Sequence, residues 1–265
     1  MPSNQYVASL SDGCAWVTGA SSGIGCELAL DLARDGWTVA VTARSKEPLT
    51  ELEEKAVSLK GRIVPYPGDV SETETMAAHA ASIRSELGPI ALLIANAGIY
   101  LPQDGLDSDI EAYRRSFDVN LLGTVNVLFP ALESMKDAGQ GQIAIVSSVA
   151  GYRGLPTSAA YGATKAGLIN MAEALKFDLD RAGIRIQVIN PGFVDTPATK
   201  SNPFPMPHLI SPAEAVRQIR KGLADPKRFE IAFPAAFVRQ LKFLQHLPYR
   251  AYFAIVRRTT GWDKK

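Results

Sequence analysis

The stretch Cys14-Ala-Trp-Val-Thr-Gly-Ala-Ser-Ser-Gly-Ile-Gly25 decides the fold of this chain. Its first five residues form an apolar run that predicts a buried strand, and a helical pattern follows the last glycine to about Arg34. A strand, a glycine loop and a helix in this order present backbone N–H groups and a helix N-terminus to a phosphate. Glycines let the backbone approach such a ligand closely, although the same loop can be merely a tight turn. In this context the spacing G-x-x-x-G-x-G favours a nucleotide-binding loop.

Short apolar segments alternate with helical patterns along residues 1–233. This alternation is typical of parallel βαβ units, so we predict a single doubly wound α/β domain with a parallel sheet of about seven strands and helices on both faces. Ligands of such sheets lie beyond the carboxyl ends of the strands. The predicted strands are 14–18, 38–42, 62–66, 90–95, 142–146, 185–190 and 229–233, and the predicted helices after the first are about 47–59, 71–87, 110–135, 161–179 and 211–223.

Composition limits the class of protein. The 265 residues are 46% hydrophobic, which suffices for a large single core, and the net charge of +1 gives no global field for nucleic acid. Two cysteines, Cys14 and Cys26, suit a reducing compartment rather than a disulfide scaffold. We see no secretory signal, no apolar run of transmembrane length and no metal-binding motif, so we expect a cytoplasmic protein without a metal.

The end of the second predicted strand, Ala43-Arg44-Ser45-Lys46, bears on the choice of cofactor. In dinucleotide-binding folds an acid about 20 residues beyond the glycines holds the ribose 2′-hydroxyl, whereas an arginine accommodates a 2′-phosphate. This end carries no carboxylate, and Arg44 can bind a phosphate with two hydrogen bonds, assisted by Ser45 and Lys46. The pattern favours NADP(H) over NAD(H), with a solvated loop arginine as the alternative.

Two further strand ends carry polar or small residues. Asp69-Val70 follows the third strand, and Asp69 is either a helix-entry residue or an adenine contact. Ser71 and Glu74 have the spacing of a capping box, which predicts the start of the next helix. Asn96-Ala97-Gly98 ends the fourth strand, where small residues leave room for a ligand, although the Asn96 amide can instead tie neighbouring strands together.

Tyr161 and Lys165 carry the chemistry that we predict. Residues four apart share one face of a helix, so a phenol stands beside an ammonium. A nearby opposite charge lowers a pKa by about 1–3 units, which lets a tyrosine exchange protons with an alcohol or carbonyl oxygen. The alternative is a solvated helix face, but Ser148 lies 13 residues earlier at a strand end. Asn120, in the middle of the predicted helix 110–135, indicates a local task or a distortion unless it is merely exposed.

Together these residues resemble the short-chain dehydrogenase/reductase family, and the resemblance spans roughly residues 14–196 in the family's order and spacing. It implies a one-domain Rossmann-type fold and reversible hydride transfer between NAD(P)(H) and an alcohol or carbonyl. It also implies homodimers or homotetramers packed through helices at about 110–135 and 159–179. The matching pieces are Thr18-Gly-Ala-Ser-Ser-Gly-Ile-Gly25, Asp69-Val70, Asn96-Ala-Gly98, Asn120, Ser148, Tyr161-x-x-x-Lys165 and Pro191-Gly192.

The resemblance implies a role for each matching residue. Tyr161 would be the proton donor in reduction and the base in oxidation, and Lys165 would lower the Tyr161 pKa and hold the nicotinamide ribose. Ser148, rather than Ser147, would bind the substrate oxygen, and Asn120 would hold a water that relays protons. The implied cofactor contacts are Gly19, Ser21, Ser22, Gly23, Ile24 and Gly25 for the pyrophosphate, Arg44 and Ser45 for NADP(H) preference, Asp69 and Val70 for the adenine, Asn96, Ala97 and Gly98 at the fourth strand, and Tyr161, Lys165, Pro191, Gly192, Val194 and Thr196 around the nicotinamide.

One departure from the family concerns the cofactor preference. Some NADP-dependent members place a basic residue inside the glycine loop, whereas Ser21 and Ser22 stand there in this chain. The preference for NADP(H) therefore depends mainly on Arg44.

Residues 193–210 are expected to form the substrate loop, because the resemblance places substrate binding there. A loop between a strand and a helix can close over a substrate and exclude water. Its apolar residues, with Tyr152, Leu155 and Pro156 as the expected opposite wall, indicate a small apolar ketone, aldehyde or alcohol as the substrate. Ordinary packing of a proline-rich loop is the alternative.

The C-terminal extension, residues 234–265, is both basic and apolar. It carries seven Lys or Arg against one acid, and its apolar residues fall near helical spacing. Three interpretations stay open. Residues 234–258 can touch an anionic membrane surface, pack on their own domain, or pack on a partner subunit.

The leading functional hypothesis is an NADP(H)-dependent oxidoreductase that interconverts a secondary alcohol and a carbonyl. A nucleotide-binding sensor or scaffold without turnover is the main alternative, and the four filled catalytic positions argue against it. Epimerase or dehydratase chemistry stays open as well, because a fold does not fix a reaction.

Overall fold

The computed structural model describes residues 6–103, 105–200, 202 and 205–262. Ser201, Pro203 and Phe204 of the predicted substrate loop, and residues 263–265 of the extension, lie outside the described residues. The strands are Cys14–Thr18 (β1), Thr38–Thr42 (β2), Arg62–Pro65 (β3), Ile90–Ala95 (β4), Gly141–Val146 (β5), Ile184–Pro191 (β6) and Glu230–Phe233 (β7). The α-helices are Gly23–Arg34 (α1), Lys46–Ala56 (α2), Thr73–Leu87 (α3), Ile110–Phe117 (α4), Gly123–Ala138 (α5), Ala159–Arg181 (α6), Pro197–Lys200 (α7), Pro212–Leu223 (α8), Ala235–Gln245 (α9) and Tyr249–Thr259 (α10).

All seven strands are parallel and lie in the order β3-β2-β1-β4-β5-β6-β7. β1 lies between β2 and β4, so that Val17 is paired with Val41 on one side and with Ile94 on the other. The direction in which strands are added reverses at β1, and a ligand crevice forms at the carboxyl ends of strands at such a point. The prediction of a doubly wound, Rossmann-type parallel sheet of about seven strands is confirmed.

Helices cover both faces of the sheet, which explains why the central strands are apolar throughout. Every residue of β4 and β5 is buried, as expected for parallel strands covered on two sides. One face packs against α1, α2 and α8 through residues such as Leu28 and Ile219. The other face packs against α3, α5 and α6 through residues such as Leu128 and Leu168. The two cores hold the strand ends in fixed positions.

The predicted helix 110–135 contains an irregular turn around Asn120. A π-helical turn over Asp118–Leu122 joins α4 to α5, and Asn120 is completely buried within it. The Asn120 side chain accepts a hydrogen bond from the Ile99 N–H (2.7 Å) and donates one to the Ile99 carbonyl oxygen (3.0 Å). Single π-turns of this kind often lie at functional sites. The predicted distortion is present, and the alternative of an exposed asparagine is wrong.

The capping-box prediction at Ser71 is wrong. α3 begins at Thr73 with Glu72 at its N-cap, and no side chain of the described residues caps it. The Asp69 carboxylate instead accepts hydrogen bonds from the Ser71 N–H (2.9 Å) and hydroxyl (2.8 Å). Because the Ser71 side chain is used in this turn, it forms the entry to the helix rather than its cap.

The C-terminal extension forms α9 and α10, which pack against the preceding domain through Phe237, Val238, Tyr252 and Val256. Packing on its own domain is therefore present in this structure. None of the helices in the described ranges combines the length and the hydropathy that crossing a membrane requires. The large apolar side chains that stay exposed on the two helices are Phe243, Tyr249, Phe253 and Ile255.

Candidate active site

A cleft of about 280 Å³ opens at the carboxyl ends of β1, β4 and β5, beside the point where the strand order reverses. Of the residues predicted to be catalytic or to bind the cofactor, Gly25, Ser45 and Asn120 do not line it, whereas the others do. The lining residues that the sequence predicted are Gly19, Ser21, Ser22, Gly23, Ile24, Arg44, Asp69, Val70, Asn96, Ala97, Gly98, Ser148, Tyr161, Lys165, Pro191, Gly192, Val194 and Thr196. The lining residues outside that set are Ala43, Gly68, Ile99, Tyr100, Val119, Val146, Ser147, Ala198 and Thr199.

The glycine loop turns the chain from β1 into α1. Gly19 and Gly23 have φ angles of 66° and 59°, in the left-handed region that glycine adopts without strain. A Cβ on Gly19 would lie 2.7 Å from the Cα of Ala97, so a larger residue could not approach β4 this closely. Ser22 is the N-cap of α1, yet no side chain within the described ranges caps this helix. The first N–H groups of α1 are therefore available to an anion.

Gly25 and Asn96 hold the glycine loop in place. Gly25 faces the loop rather than the cleft, because a Cβ there would lie 2.4 Å from the Gly19 carbonyl oxygen. The Asn96 side chain donates hydrogen bonds to the carbonyl oxygens of Thr18 (2.9 Å) and Gly19 (3.1 Å). Asn96 thus ties the end of β4 to the end of β1, which was one of the two interpretations of this residue.

Arg44 lies at the edge of the cleft, at the end of β2. Its side chain is exposed, and none of the described residues forms an ion pair or hydrogen bond with its guanidinium. Ser45 lies outside the cleft at the N-cap of α2. Asp69 lines the cleft even though Ser71 holds its carboxylate. An arginine in this position can bind a phosphate that reaches the edge of the cleft.

Helix α6 presents Tyr161 and Lys165 to the cleft, one helical turn apart. Lys165 is only 3% exposed, and its Nζ donates a hydrogen bond to the Val146 carbonyl oxygen (2.8 Å) at the end of β5. The same nitrogen lies 5.6 Å from the centroid of the Tyr161 ring. The phenol and the ammonium therefore face the same cleft, as the spacing of four residues predicted.

Burial shifts the pKa of both groups. It raises the pKa of Tyr161 above its ordinary value of 10.0, and the Ser148 hydroxyl opposes this rise. It lowers the pKa of Lys165 from 10.5 to about 8. The net shift of the Tyr161 pKa is therefore opposite to the lowering that a neighbouring ammonium alone would cause, because burial is its largest cause. The expected contribution of Lys165 to this pKa stays a prediction. A phenol with a raised pKa keeps its proton at neutral pH, as a proton donor must.

Ser147 and Ser148 follow β5 but have different partners. The Ser147 hydroxyl donates to the Lys165 carbonyl oxygen (2.7 Å), so it joins β5 to α6. The Ser148 hydroxyl accepts a hydrogen bond from the Ala150 N–H (3.1 Å) and lies 3.4 Å from the Pro191 carbonyl oxygen. The Ser148 hydroxyl also forms a hydrogen bond with the Tyr161 phenol, and this bond lowers the pKa of the phenol against the effect of burial. Ser148 is thus the serine whose hydroxyl can reach a substrate oxygen beside Tyr161.

Asn120 lies behind the cleft rather than in its wall. Its Nδ2 lies 3.2 Å from the Thr164 hydroxyl of α6, in addition to its hydrogen bonds with Ile99. A Cβ on Gly98 would lie 3.3 Å from Asn120 Oδ1 and 3.4 Å from Lys165 Nζ. Asn120, Lys165 and Gly98 therefore lie close together behind Tyr161. Because Gly98 has no side chain, it leaves room for the side chains of Asn120 and Lys165.

Tyr100 is a site residue that the sequence analysis missed. Its ring stands edge-on to the Tyr161 ring, with the centroids 5.0 Å apart and the planes at 68°. Its hydroxyl lies 3.1 Å from the Thr157 hydroxyl. Such a contact restricts the Tyr161 ring. The available signal in the sequence was the position of Tyr100 two residues after Gly98, on the loop that leaves β4.

None of Tyr152, Leu155 and Pro156, the expected opposite wall of the substrate site, lines the cleft, so their contact with a substrate stays a prediction. The Tyr152 hydroxyl donates a hydrogen bond to Glu230 Oε1 on β7 (2.5 Å), which explains why its side chain is unavailable to the cleft. From the predicted substrate loop, the residues that line the cleft are Val194, Thr196, Ala198 and Thr199.

Comparisons with known proteins agree with this geometry. The family model described as short chain dehydrogenase matches residues 13–204. An uncharacterized oxidoreductase of Myxococcus xanthus is 34% identical over 252 residues, which cover 95% of this chain and 99% of that protein. The 3-oxoacyl-[acyl-carrier-protein] reductase FabG of Thermotoga maritima is 34% identical over 187 residues, which cover 71% and 76%. The crystal structure of an actinorhodin polyketide ketoreductase variant with NADPH is 25% identical, has a TM-score of 0.77, and covers 86% of this chain and 97% of that chain.

The matched residues extend from the strand before the glycine loop into the loop that follows β6. They include Ser148, Tyr161 and Lys165, and they form six of the seven strands, among them β1, where the strand order reverses. With a relative that is similar over almost its entire length, this establishes that the chain belongs to the short-chain dehydrogenase/reductase family of oxidoreductases.

Proposed function

We propose that this protein reduces a ketone or aldehyde to an alcohol with NADPH, and oxidises a secondary alcohol with NADP⁺ in the reverse direction. The observation that carries the proposal is the convergence of Ser148, Tyr161 and Lys165 on the same cleft as the glycine loop. A hydride acceptor can bind beside the three side chains while the anionic part of a dinucleotide binds at the loop.

The described residues fit an NADP(H) cofactor. The glycine loop leaves space that a side chain would fill, since a Cβ on Gly23 would lie 2.9 Å from Thr196 Cγ2. The uncapped start of α1 suits the pyrophosphate, and the exposed guanidinium of Arg44 suits a 2′-phosphate. The ketoreductase of similar fold was crystallised with NADPH, which supports the same choice. When bound, this cofactor supplies the hydride.

The side chains of the chain supply the proton and stabilise the charge. Tyr161 donates its proton to the carbonyl oxygen as the carbonyl carbon is reduced, so that C=O becomes CH–OH. Ser148 donates a hydrogen bond to the same oxygen and stabilises the negative charge that develops there. Lys165, 5.6 Å from the phenol ring, stabilises the phenolate that remains on Tyr161. Asn120, behind Lys165, holds a water through which Tyr161 regains a proton.

The proposed substrate is an apolar ketone, and a 3-oxoacyl ester is the first compound to test. Tyr100, Val194 and Ala198 give the cleft apolar surface. One relative is named a 3-oxoacyl-[acyl-carrier-protein] reductase and one similar structure a polyketide ketoreductase, which supports this class. Ethyl acetoacetate is a soluble probe with the same 3-oxo ester group.

The absorbance of NADPH distinguishes the proposal from its alternatives. We expect the protein to consume NADPH in the presence of ethyl acetoacetate or other apolar ketones, and NADH more slowly. Binding of NADPH without consumption on any ketone or aldehyde would favour a sensor. Conversion of a substrate without net consumption of NADPH would favour an epimerase or dehydratase.

We also propose that the protein is a homodimer or homotetramer formed through α5 and α6. Phe129 and Phe177 on these helices are 56% and 77% exposed, which is unusual for aromatic side chains unless a partner covers them. Sedimentation of Phe177→Glu should show a shift towards monomer, whereas Phe243→Glu on α9 should not. A monomeric wild-type protein would contradict this proposal.

A further inference from the structure

The segment that follows Ser148 is held along its length by the end of the chain. We call residues 148–154 the Ser148 turn, and residues 235–259, which comprise α9 and α10, the C-terminal hairpin. The turn begins with Ser148, which lines the active-site cleft. None of the described residues of the hairpin lines the cleft. Contacts between the turn and the hairpin therefore connect the extension to the catalytic groups.

Arg153 of the Ser148 turn lies where α9 meets α10. Its Nη1 lies within hydrogen-bond distance of the carbonyl oxygens of Leu244 (2.8 Å), Gln245 (3.1 Å) and Leu247 (2.7 Å). These carbonyls lie at and just beyond the end of α9, where a helix runs out of N–H groups to pair with its last carbonyls, although the Leu244 carbonyl oxygen also accepts a hydrogen bond from the Leu247 N–H (3.2 Å). A cation at this position also complements the negative end of the helix. Arg153 therefore caps α9 from a distant part of the chain.

The same guanidinium stacks on α10. Its central carbon lies 4.0 Å from the centroid of the Tyr252 ring and 4.9 Å from that of Tyr249. Tyr252 is buried, and its hydroxyl donates a hydrogen bond to the Gly154 carbonyl oxygen (2.5 Å). A guanidinium is planar, so it can form hydrogen bonds in its plane and stack on its faces at once, which an ammonium cannot. One arginine thus holds both helices of the hairpin against the turn.

Glu230 of β7 provides a second anchor. Its carboxylate accepts the hydrogen bond from the Tyr152 hydroxyl (2.5 Å) and forms an ion pair with Lys242 of α9. It also accepts a hydrogen bond from Asn190 Nδ2 (2.8 Å), next to Pro191 of the cleft. The turn, the hairpin and the end of β6 therefore meet at one half-buried carboxylate.

Phe237 of α9 extends these contacts to the wall of the cleft. Its ring stacks on Phe193, with the centroids 5.5 Å apart, and packs against Val149. A Cβ on Gly192 would lie 2.9 Å from the Phe237 ring, so this ring lies directly behind a residue that lines the cleft. The hairpin therefore supports both Gly192 and the neighbour of Ser148.

We propose that Arg153 is a positioning residue that locks the C-terminal hairpin against the Ser148 turn, and that the locked hairpin fixes Ser148 and Gly192 in the cleft. Three kinds of contact from one side chain, together with the Glu230 anchor and the Phe237 packing, carry the proposal. The predicted effect of Arg153 on catalysis rests on the proposed function. Its predicted effect on the local stability of the turn and the hairpin does not.

Hydrogen–deuterium exchange of the full chain tests the effect on local stability without a substrate. We expect Arg153→Ala to raise exchange about tenfold or more in residues 148–154 and 191–194, as well as in the hairpin, while residues 19–25 stay unchanged. Arg153→Lys keeps the charge but loses the planar stacking, so its exchange should be intermediate. Arg250→Ala removes an exposed arginine of α10 and should change nothing.

Faster exchange confined to the hairpin, an equal rise that includes residues 19–25, or no change would overturn the proposal. If Arg153→Ala does not fold, the same regions are compared in Arg153→Lys, which then decides by the same criteria.

Kinetics with ethyl acetoacetate test the catalytic part, at a temperature where circular dichroism shows the variants folded. For Arg153→Ala we expect kcat/KM to fall roughly tenfold to hundredfold, because small displacements of reacting groups cost rates of this order. Arg153→Lys should recover part of the loss, and affinity for NADPH should stay within about twofold of wild type. Unchanged kcat/KM, or equal losses in NADPH affinity and turnover, would overturn the positioning role. If the wild type reduces no ketone, the proposed function fails, and the exchange experiment still decides whether the hairpin holds the turn.

Discussion

The glycine loop and the C-terminal hairpin support the two ends of the active-site cleft, and they are built in opposite ways. The loop is formed by backbone geometry, with Gly19 and Gly23 in left-handed conformations and Asn96 bonded to its carbonyl oxygens. The hairpin is held by side chains, above all Arg153, whose carbonyl partners lie 91 to 94 residues later in the chain. The cofactor end is therefore determined by local sequence, whereas the substrate end depends on contacts between distant segments.

The largest loss of activity is expected at Tyr161, where the cofactor end and the substrate end of the cleft meet. Tyr161→Phe removes the hydroxyl that donates the proton and keeps the ring that packs on Tyr100. We expect ketone reduction to fall by about 10²–10⁴-fold, which is the usual contribution of general acid catalysis. Fluorescence titration should show that NADPH still binds, because the loop that receives the pyrophosphate is unchanged.

Tyr100→Phe is the matched control for this prediction, since it removes a hydroxyl that lies against Thr157. We expect it to lower turnover far less. If Tyr161→Phe kept turnover within a few-fold of wild type, Tyr161 would not be the proton donor.

The second-largest effect is expected on cofactor binding, at Arg44 in the cofactor end of the cleft. Arg44→Ala removes the exposed guanidinium at the edge of the cleft and with it the hydrogen bonds to a 2′-phosphate. Because hydrogen bonds to charged groups are the stronger ones, we expect the Kd for NADPH to rise about 10- to 100-fold and that for NADH to change little. Lys55→Ala, which removes an exposed lysine of α2 that does not line the cleft, should alter neither Kd. Equal losses for both cofactors would overturn the assigned preference.

A smaller effect, on stability, is expected at Lys165. Lys165→Met removes a buried cation that donates to the Val146 carbonyl oxygen, so it should abolish turnover and yet raise Tm by about 2–5 °C at neutral pH. The folded-state pKa of about 8 lies below the ordinary 10.5, so the unfolded chain binds more protons between these two values. The unfolding free energy of the wild type should therefore rise, relative to the variant, as pH increases from about 8 to about 10.5.

Thermal melts of both proteins across this pH range measure the difference directly. Groups that lie away from Lys165 titrate alike in the two proteins and cancel in the comparison. A gap in Tm that widened with pH would show that burial does not depress the pKa of Lys165.

The smallest effect is expected at the exposed residues of the C-terminal hairpin. Residues 234–262 contain no acid, and Phe243, Phe253, Arg250 and Arg258 are exposed. Contact with an anionic membrane through residues 234–258 stays a prediction, and we expect weak flotation with phosphatidylserine vesicles that disappears at high salt. Vesicles of neutral lipid are the control. If the protein does not float with phosphatidylserine vesicles at low salt, the prediction of membrane contact through residues 234–258 is wrong.

The features that the sequence predicted well are those that depend on residues close together or at a fixed spacing. The glycine loop needs seven consecutive residues, Gly19 to Gly25, and the pairing of Tyr161 with Lys165 needs a single helical turn. The alternation of apolar segments predicted all seven strands, since each buried strand reads as a short apolar run. Asn120 was an intermediate case, because its place in a helix predicted an irregularity but not its partner Ile99.

The features that the sequence did not predict depend on which distant segments meet. Nothing near Tyr152 indicates that its hydroxyl turns to Glu230, and nothing near Tyr100 indicates that its ring packs on Tyr161. The direction of the Tyr161 pKa shift also escaped prediction, because it depends on how deeply the folded chain buries the phenol. Arg153 joins the two helices of the hairpin through contacts of the same long-range kind.

The most direct measurement follows deuterium from C4 of NADPH into ethyl acetoacetate in a single turnover. We predict that the wild type places deuterium on the carbinol carbon of the product, at a rate that Tyr161→Phe lowers at least about hundredfold. A wild type that binds NADPH but transfers no deuterium to any carbonyl compound, or a Tyr161→Phe variant that transfers it at the wild-type rate, would contradict the central claim.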